Sequence, residues 1–261
     1  MVVVSPNLIN YHISSSSLLK EAYQAIESDE ELSTLLKMSN IMAVTRLKYN
    51  DHGLTHARIV AGVALEMVDI LNNHGIEFTT MRDGTTKNID EIKLIVMLTG
   101  YMHDIGNAVH RFQHEFIGAL LAKDILNRIL TRLGFDKKRV VELRQEVMHM
   151  IYSTEYNVQC LTIECGITKV ADGLDMAEGR ARIPYRLGKI DMHAISALNI
   201  KRVEIEKGDS KPVRVSVYMS DMAGLFQLEV VLMPKIRTSL LDDYIEIFVY
   251  TDSKQFKYYP K

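Results

Sequence analysis

The spacing of apolar residues constrains this chain most, because over the first three quarters they recur every three or four positions and no sustained alternation appears. That spacing places them on one face of a helix. The clearest segment is 54–73, which ends before Gly75, a residue suited to a left-handed helix cap. We therefore predict a mostly α protein. The stripe on this segment consists of Ile59, Val60, Val63, Ala64, Met67, Val68 and Leu71.

The same spacing predicts further helices on both sides of this segment. Asn88 and Asp136 are favourable N-cap residues for two of them. Upstream, Ser28 and Glu31 have the spacing of a capping box that opens a helix toward Leu47. The other predicted helices cover 88–104, 113–134, a segment that begins after Asp136, and about 162–178.

The pattern changes after residue 199, where apolar and polar residues alternate on both sides of 207–210, as in a β-hairpin. Asp221 and the preceding serine then cap a short helix that Pro234 is expected to end, and a last strand covers 244–251. We therefore predict two parts, a helical domain at 1–199 and a small α+β subdomain at 200–261.

Charge and composition exclude some classes of protein. The chain has 31 lysines and arginines against 33 aspartates and glutamates, so no global field draws it to nucleic acid or to a membrane surface. No segment approaches the 18–20 apolar residues, roughly, that a membrane span needs. We expect a cytoplasmic protein, with Cys160 and Cys165 both reduced.

Three polar residues fall where the predicted helices bury their apolar faces. His56 continues the stripe of the first helix one turn earlier, and His103 lies on the apolar face of the next helix with Asp104 beside it. A lone histidine there is more often a buried residue satisfied by a neighbour, but an unpaired carboxylate at a buried helix end is costly. A divalent cation bound to imidazole and carboxylate resolves that cost.

A further carboxylate follows in the helix predicted at about 162–178. Asp172 is surrounded by apolar residues, and its position is equally compatible with a solvated face. Asp175, three residues later, is either the inward-facing carboxylate itself or a group that orients a ligand.

These residues and their contexts resemble the HD-domain superfamily of metal-dependent phosphohydrolases. The similar segments are HARIVAGVALEM, MLTGYMHDIGN and KVADGLDMAEGR, and the resemblance covers roughly residues 50–180. A closer similarity is to an uncharacterised, largely archaeal branch with a similar C-terminal appendage. The resemblance implies an HD-type helical bundle and one metal ion held by His56, His103, Asp104 and Asp172.

In two-metal members of that superfamily, further histidines bind a second ion. His114 lies at such a position near the start of the helix predicted at 113–134. His149 is a less certain counterpart, because Ser153 stands where a ligand is usual. The donor set suits manganese, iron, cobalt, nickel or zinc, with magnesium also allowed. The resemblance also implies that Asp104 orients or deprotonates the attacking water.

A phosphorylated substrate needs positive charge where negative charge develops. Arg180 and Arg182 are the first candidates, although arginines at a helix end also simply complement its dipole. His52 forms a loose pair with His56 and is a further candidate. The weaker substrate-binding candidates are Lys169, Arg111 and His110.

We expect a hydrolase of a nucleotide or another small phosphorylated metabolite. The main alternative is a regulatory protein that binds a nucleotide without turnover and forms a homo-oligomer through its C-terminal strands. A di-iron oxygenase requires the complete second metal site, which the His149 and Ser153 region argues against. No nucleic-acid-binding strip and no glycine-rich phosphate loop is present in the sequence.

Overall fold

The computed structural model describes residues 1–14, 16–177 and 191–260. Most of the chain before residue 199 is helical, as predicted. The helices are α1 (Leu8–Ile13), α2 (Ser17–Glu27), α3 (Glu30–Asn40), α4 (Leu54–Asn73), α5 (Thr79–Arg82), α6 (Ile89–Met102), α7 (His114–Arg132), α8 (Lys137–Tyr152), α9 (Ile163–Leu174) and α10 (Met192–Leu198).

The helix starts follow from capping side chains. Asn88 accepts a hydrogen bond from the Glu91 backbone N–H at the start of α6, and Asp136 caps α8 in the same way. The predicted cap at Ser28 is wrong by one residue, because Asp29 Oδ1 accepts from the Leu32 backbone N–H at 2.9 Å. Helix α3 continues into a π-helical turn (Ile41–Arg46), and α9 ends four residues before the predicted limit.

Two close backbone approaches fix the relative positions of helices α4, α6 and α7. A Cβ atom on Gly100 of α6 would lie 2.7 Å from the Cα of Ala61 in α4, so the two backbones touch. A Cβ on Gly106, in a 3-10 turn (Ile105–Ala108), would lie 1.9 Å from the carbonyl oxygen of His114. Small residues therefore bring α4, the end of α6 and the start of α7 together.

The C-terminal part forms a five-stranded sheet in the order β1 to β5. The parallel pair β3 and β4 is joined by the helical segment between them, and the other neighbouring strands are antiparallel. The first strand comes from the N-terminus, where Val2 pairs with Ile205. The strands are β1 (Val2–Val3), β2 (Ile200–Lys207), β3 (Val213–Met219), β4 (Ile245–Tyr250) and β5 (Gln255–Tyr259).

The helical segment between β3 and β4 runs further than predicted. After Asp221 caps a 3-10 turn (Met222–Gly224), the chain forms α11 (Leu225–Gln227), a π-helical turn (Leu228–Leu232) and α12 (Met233–Arg237). Pro234 therefore does not end the helix. It lies in the first turn of α12, where a missing backbone N–H removes no α-helical hydrogen bond.

Cys160 and Cys165 form a disulfide bond in the structure, so the expectation of two reduced thiols is wrong. Their Cα atoms are 5.6 Å apart, within the usual range of about 4.4–6.8 Å. Among the residues described, no helix is long and apolar enough to cross a bilayer.

Candidate metal centre

Four side chains from three helical segments converge at the bottom of a cavity. His56 lies in the first turn of α4, His103 and Asp104 follow α6, and Asp172 lies near the end of α9. The Nε2 atom of His56 is 3.2 Å from Nε2 of His103, 3.1 Å from Oδ1 of Asp172 and 3.4 Å from Oδ2 of Asp104. Donor atoms that bind one ion at about 2.1 Å lie about 3.0–3.5 Å apart, so the spacing fits a single metal ion.

The other nitrogen of each histidine fixes which atom faces this centre. His103 Nδ1 lies 2.9 Å from the carbonyl oxygen of Gly100, which only accepts, so Nδ1 carries a proton. His56 Nδ1 lies 2.6 Å from Oδ2 of Asp175 and likewise donates. In their neutral forms both rings therefore direct an Nε2 lone pair at the centre, the tautomer that a metal ligand needs.

Asp104 supplies an independent test of whether a cation fits. Its Oδ2 atom is buried and has no hydrogen-bond partner among the described residues, although Nε2 of His103 is 3.3 Å away. A buried carboxylate oxygen without a hydrogen bond is costly. Two histidine lone pairs and this oxygen face one point, so the residues present fit a divalent metal ion.

The electrostatics of the cluster lead to the same conclusion. Burial acts to lower the pKa of His103, but Asp104 and Asp172 outweigh it and raise that pKa to about 10. Burial acts to raise the pKa of Asp104, yet His103 and His52 hold it well below the ordinary value. The carboxylates stay ionised and the site attracts positive charge.

The second oxygen of Asp104 is held by protein groups. Its Oδ1 accepts a hydrogen bond from Asn107 Nδ2 at 3.0 Å and lies 3.3 Å from His114 Nε2. His114 Nδ1 in turn lies 2.9 Å from Glu115 Oε2, and the Arg111 guanidinium donates to His114 Nε2 at 3.0 Å. A protein cation therefore lies next to His114, beside the position at which the sequence predicted a second metal.

The second oxygen of Asp172 is held by Lys235 from α12, at 2.7 Å from its Nζ atom. Burial acts to raise the pKa of Asp172, whereas Lys235 lowers it most, and the pKa lies well below the ordinary value. Sequence reasoning missed Lys235, because it stands alone in an unremarkable helical segment far along the chain. Only the packing of α12 against α9 reveals it.

The cavity above these residues has a volume of about 360 Å³. The loop before α4, the start of α7, the segment after α8 and the C-terminal part all contribute to its walls. His52 is among the lining residues, and its Nδ1 contacts the carbonyl oxygen of Asn50 at 2.6 Å. Sequence reasoning also missed a group of lining residues that stand in no recognisable motif, namely Tyr49, Tyr156, Asp191, His193 and Gln227.

Of the other predicted site residues, some line the cavity and others do not. Arg111 lines the cavity, whereas His110 is exposed and accepts a hydrogen bond from the Phe112 backbone N–H. Lys169 is fully buried, donates to the carbonyl oxygen of Val158 at 2.6 Å and is not among the lining residues. Arg180 and Arg182 lie outside the described residues.

His149 lies near the end of α8, away from the residues described as lining the cavity. Its Nδ1 atom contacts Ser153 Oγ at 3.3 Å, and its Nε2 atom is buried without a hydrogen-bond partner. Burial lowers the pKa of this histidine, so it is neutral at pH 7. The structure thus brings His114 to the centre but gives His149 a separate environment.

Comparison with known proteins gives two findings. The family described as "HD domain" matches residues 53–177, a range that contains the four converging residues and Asp175. Uncharacterized protein MJ1020 from Methanocaldococcus jannaschii is 43% identical over 237 residues, which cover 90% of this chain and 90% of that protein. No solved structure matches.

Proposed function

The chain belongs to the HD-domain superfamily of metal-dependent phosphohydrolases, and from this premise we propose that it hydrolyses a phosphate ester of a nucleotide or another small phosphorylated metabolite. One observation carries the proposal. Two histidine Nε2 atoms and two carboxylate oxygens, one of them without a hydrogen bond, face a single point at the bottom of a cavity. This donor set suits manganese, iron, cobalt, nickel or zinc, with magnesium as a further option.

The four converging residues would together hold one divalent metal ion. Held by His56, His103, Asp104 and Asp172, a divalent metal ion would lower the pKa of a bound water toward about 7 and polarise a phosphoryl oxygen. Asp175 and the Gly100 carbonyl keep the two imidazole rings in the required tautomer. The surroundings thus organise the ligands before the substrate arrives.

Asp104 is the residue to which we assign proton transfer. Its Oδ1 atom is oriented by Asn107 and lies 3.3 Å from His114 Nε2. A proton taken from the attacking water by this carboxylate therefore has an imidazole within reach, and Glu115 supports that imidazole from behind. General base catalysis of this kind contributes about 10²–10⁴-fold to the rate.

The cavity supports a small phosphorylated substrate. Its volume of about 360 Å³ lies within the range of about 300–1,000 Å³ found for small-molecule sites. Tyr49 and Tyr156 provide aromatic surface in its wall, and Arg111 provides a cation for phosphate. Arg180 and Arg182 remain proposed substrate-binding residues on the basis of the sequence.

The test combines metal analysis with activity. Protein purified without chelator is analysed by elemental mass spectrometry, and phosphate release is followed on a panel of nucleotides and generic phosphate esters. We expect a bound transition metal and turnover that Asp104→Ala reduces by at least 10²-fold. Asp243→Ala, at an aspartate whose side chain is 96% exposed, is the matched control and should retain full activity.

The outcomes separate hydrolysis from its alternatives. Metal binding without turnover on any panel member would favour the regulatory protein that binds a nucleotide. Absence of metal even after reconstitution would refute the ligand assignment itself.

A further inference from the structure

Lys235 is a buried cation at the cavity wall, and the proposed function gives it no contact with the substrate. Only 5% of the residue is exposed, but it lines the cavity together with Asp172 and Tyr156. Its Nζ atom donates to Asp172 Oδ2 at 2.7 Å and to the carbonyl oxygen of Thr154 at 3.3 Å, and lies 4.7 Å from the centre of the Tyr156 ring.

The number of these contacts matters because a lysine ammonium has three N–H groups. Two have acceptors among the described residues, Asp172 and Thr154. Burial of an ammonium is costly unless it is paired and hydrogen-bonded, and the pair with Asp172 offsets part of that cost. In the part of the chain that the structure describes, no further oxygen or nitrogen accepts from Lys235, so the third N–H is available to a group that enters the cavity.

Comparison with a second buried lysine shows that this arrangement is specific. Lys169 lies on α9, and burial together with the nearby charge of Lys235 lowers its pKa to about 8. Its Nζ atom donates to the Val158 carbonyl oxygen, and it is not among the residues that line the cavity. Of these two lysines, only Lys235 has both a wall position and an ion pair with a ligand of the proposed metal centre.

We propose that Lys235 is a phosphate-binding residue of this site, donating its third N–H to a non-bridging oxygen of the substrate phosphoryl group. The proposal rests on the proposed function for the identity of the substrate class. Lys235 lies in α12, so the C-terminal part of the chain supplies one side of the active site. The same ammonium donates to Oδ2 of Asp172 and thereby keeps that metal ligand oriented.

The test uses inorganic phosphate as the probe and the full chain loaded with manganese. Phosphate binding is measured by titration calorimetry for the wild type, Lys235→Met and Lys235→Gln, and manganese content is measured on the same samples. We expect both variants to retain manganese, because all four ligands remain, and to bind phosphate at least 10-fold more weakly, the loss expected for a charge-assisted hydrogen bond. Lys235→Gln keeps hydrogen-bonding capacity without charge and serves if the methionine variant does not fold.

Lys257→Met is the matched control. Lys257 also belongs to the C-terminal part of the chain and also pairs with a buried carboxylate, at 3.2 Å from Glu246 Oε2, but does not line the cavity. This variant should bind phosphate within 2-fold of the wild type.

Three results would overturn the proposal. Unchanged phosphate affinity in the Lys235 variants would show that Lys235 does not contact phosphate. A wild type that does not bind phosphate would also contradict the proposal. Loss of manganese from these variants would show that Lys235 acts through Asp172 alone. By contrast, wild-type phosphate binding without hydrolysis of any ester would refute the proposed hydrolase and leave the role of Lys235 intact.

Discussion

At the scale of single residues, the metal-facing histidines depend on the groups behind them. Asp175 Oδ2 accepts the Nδ1 proton of His56 at 2.6 Å. We predict that Asp175→Asn weakens manganese binding about 10–100-fold, the usual cost of removing such an orienting partner. The carboxamide can present its N–H₂ to His56 and favour the wrong tautomer. Titration calorimetry with manganese measures the change.

The control for this prediction is Asp209→Asn, at an aspartate whose side chain is 84% exposed and pairs with Arg214. It should bind manganese as the wild type does. Wild-type affinity in Asp175→Asn would show that packing alone orients His56.

His12 gives a residue-scale prediction about pH and stability. It lies on α1 and is buried against α4, with Nε2 at 3.1 Å from Glu66 and Nδ1 at 3.2 Å from Asp69, and Asp69 also pairs with Lys93. Burial acts to lower the pKa of His12, but hydrogen bonds to Asp69 and Glu66 raise it above 6.5. The contribution of protonated His12 to stability is therefore complete below pH 6.5 and is lost as the pH rises through the folded-state pKa.

We accordingly predict that His12→Gln lowers the melting temperature most at pH 5.5–6 and less at pH 9. Hydrogen bonds to charged groups contribute about 1.5–3 kcal/mol, which at about 2–4 °C per kcal/mol gives a deficit of roughly 3–12 °C at the lower pH. Thermal unfolding of both proteins across this pH range measures it. A deficit that does not vary with pH would mean that His12 stays neutral.

The candidate site was partly predictable from the sequence at this scale. His56, His103 and Asp104 could be singled out because they interrupt buried apolar faces, a local pattern that spacing reveals. Asp172 needed the resemblance as well, since its own context allowed a solvated face. Lys235 could not be found, because its partner Asp172 is 63 positions away and their contact depends on tertiary packing.

At the scale of elements, the crossing of α4 and α6 determines the distance between the two histidines. Gly100 lies where these helices touch, because an added Cβ would meet the Cα of Ala61 at 2.7 Å and its backbone nitrogen at 2.8 Å. We predict that Gly100→Ala lowers stability by about 1–3 kcal/mol, the cost of overpacking a core, and also weakens manganese binding. Chemical denaturation and calorimetry measure the two effects.

A second substitution tests whether the backbone is responsible. The two nearest atoms of Ala61 are its Cα and nitrogen, and its Cβ is further away at 3.0 Å, so Ala61→Gly should not rescue Gly100→Ala. Rescue would mean that the clash involves only the Ala61 side chain.

Elements differed from the sequence prediction where local rules compete with packing. The long helices matched closely, because their apolar stripes and caps agree. Pro234 was expected to end a helix, yet it lies in the first turn of α12 after a π-helical turn, where no N–H is needed. Strand β1 has only two residues, too few for an alternating pattern, and it forms because β2 offers a free edge.

At the scale of the whole molecule, contacts join the helical part to the C-terminal part of the chain. Val2 and Val3 pair with β2, and Lys235 of α12 reaches Asp172 on α9. A ligand bound at the centre therefore interacts with both parts. We expect thermal unfolding in one transition, and we expect metal to shift that whole transition rather than a part of it.

The size of that shift can be estimated. A ligand that binds only the folded state at a free concentration of 100 times Kd adds about 2.7 kcal/mol, which for a chain of this size corresponds to roughly 5–10 °C. We predict a rise of this order on adding manganese and its reversal by chelator. His103→Gln should abolish the shift, because it removes an Nε2 ligand atom, whereas His74→Gln, at the C-cap of α4, should retain it. If metal moved only one of two resolved transitions, the sheet would unfold independently of the centre, and the contact between Lys235 and Asp172 would not couple the two parts.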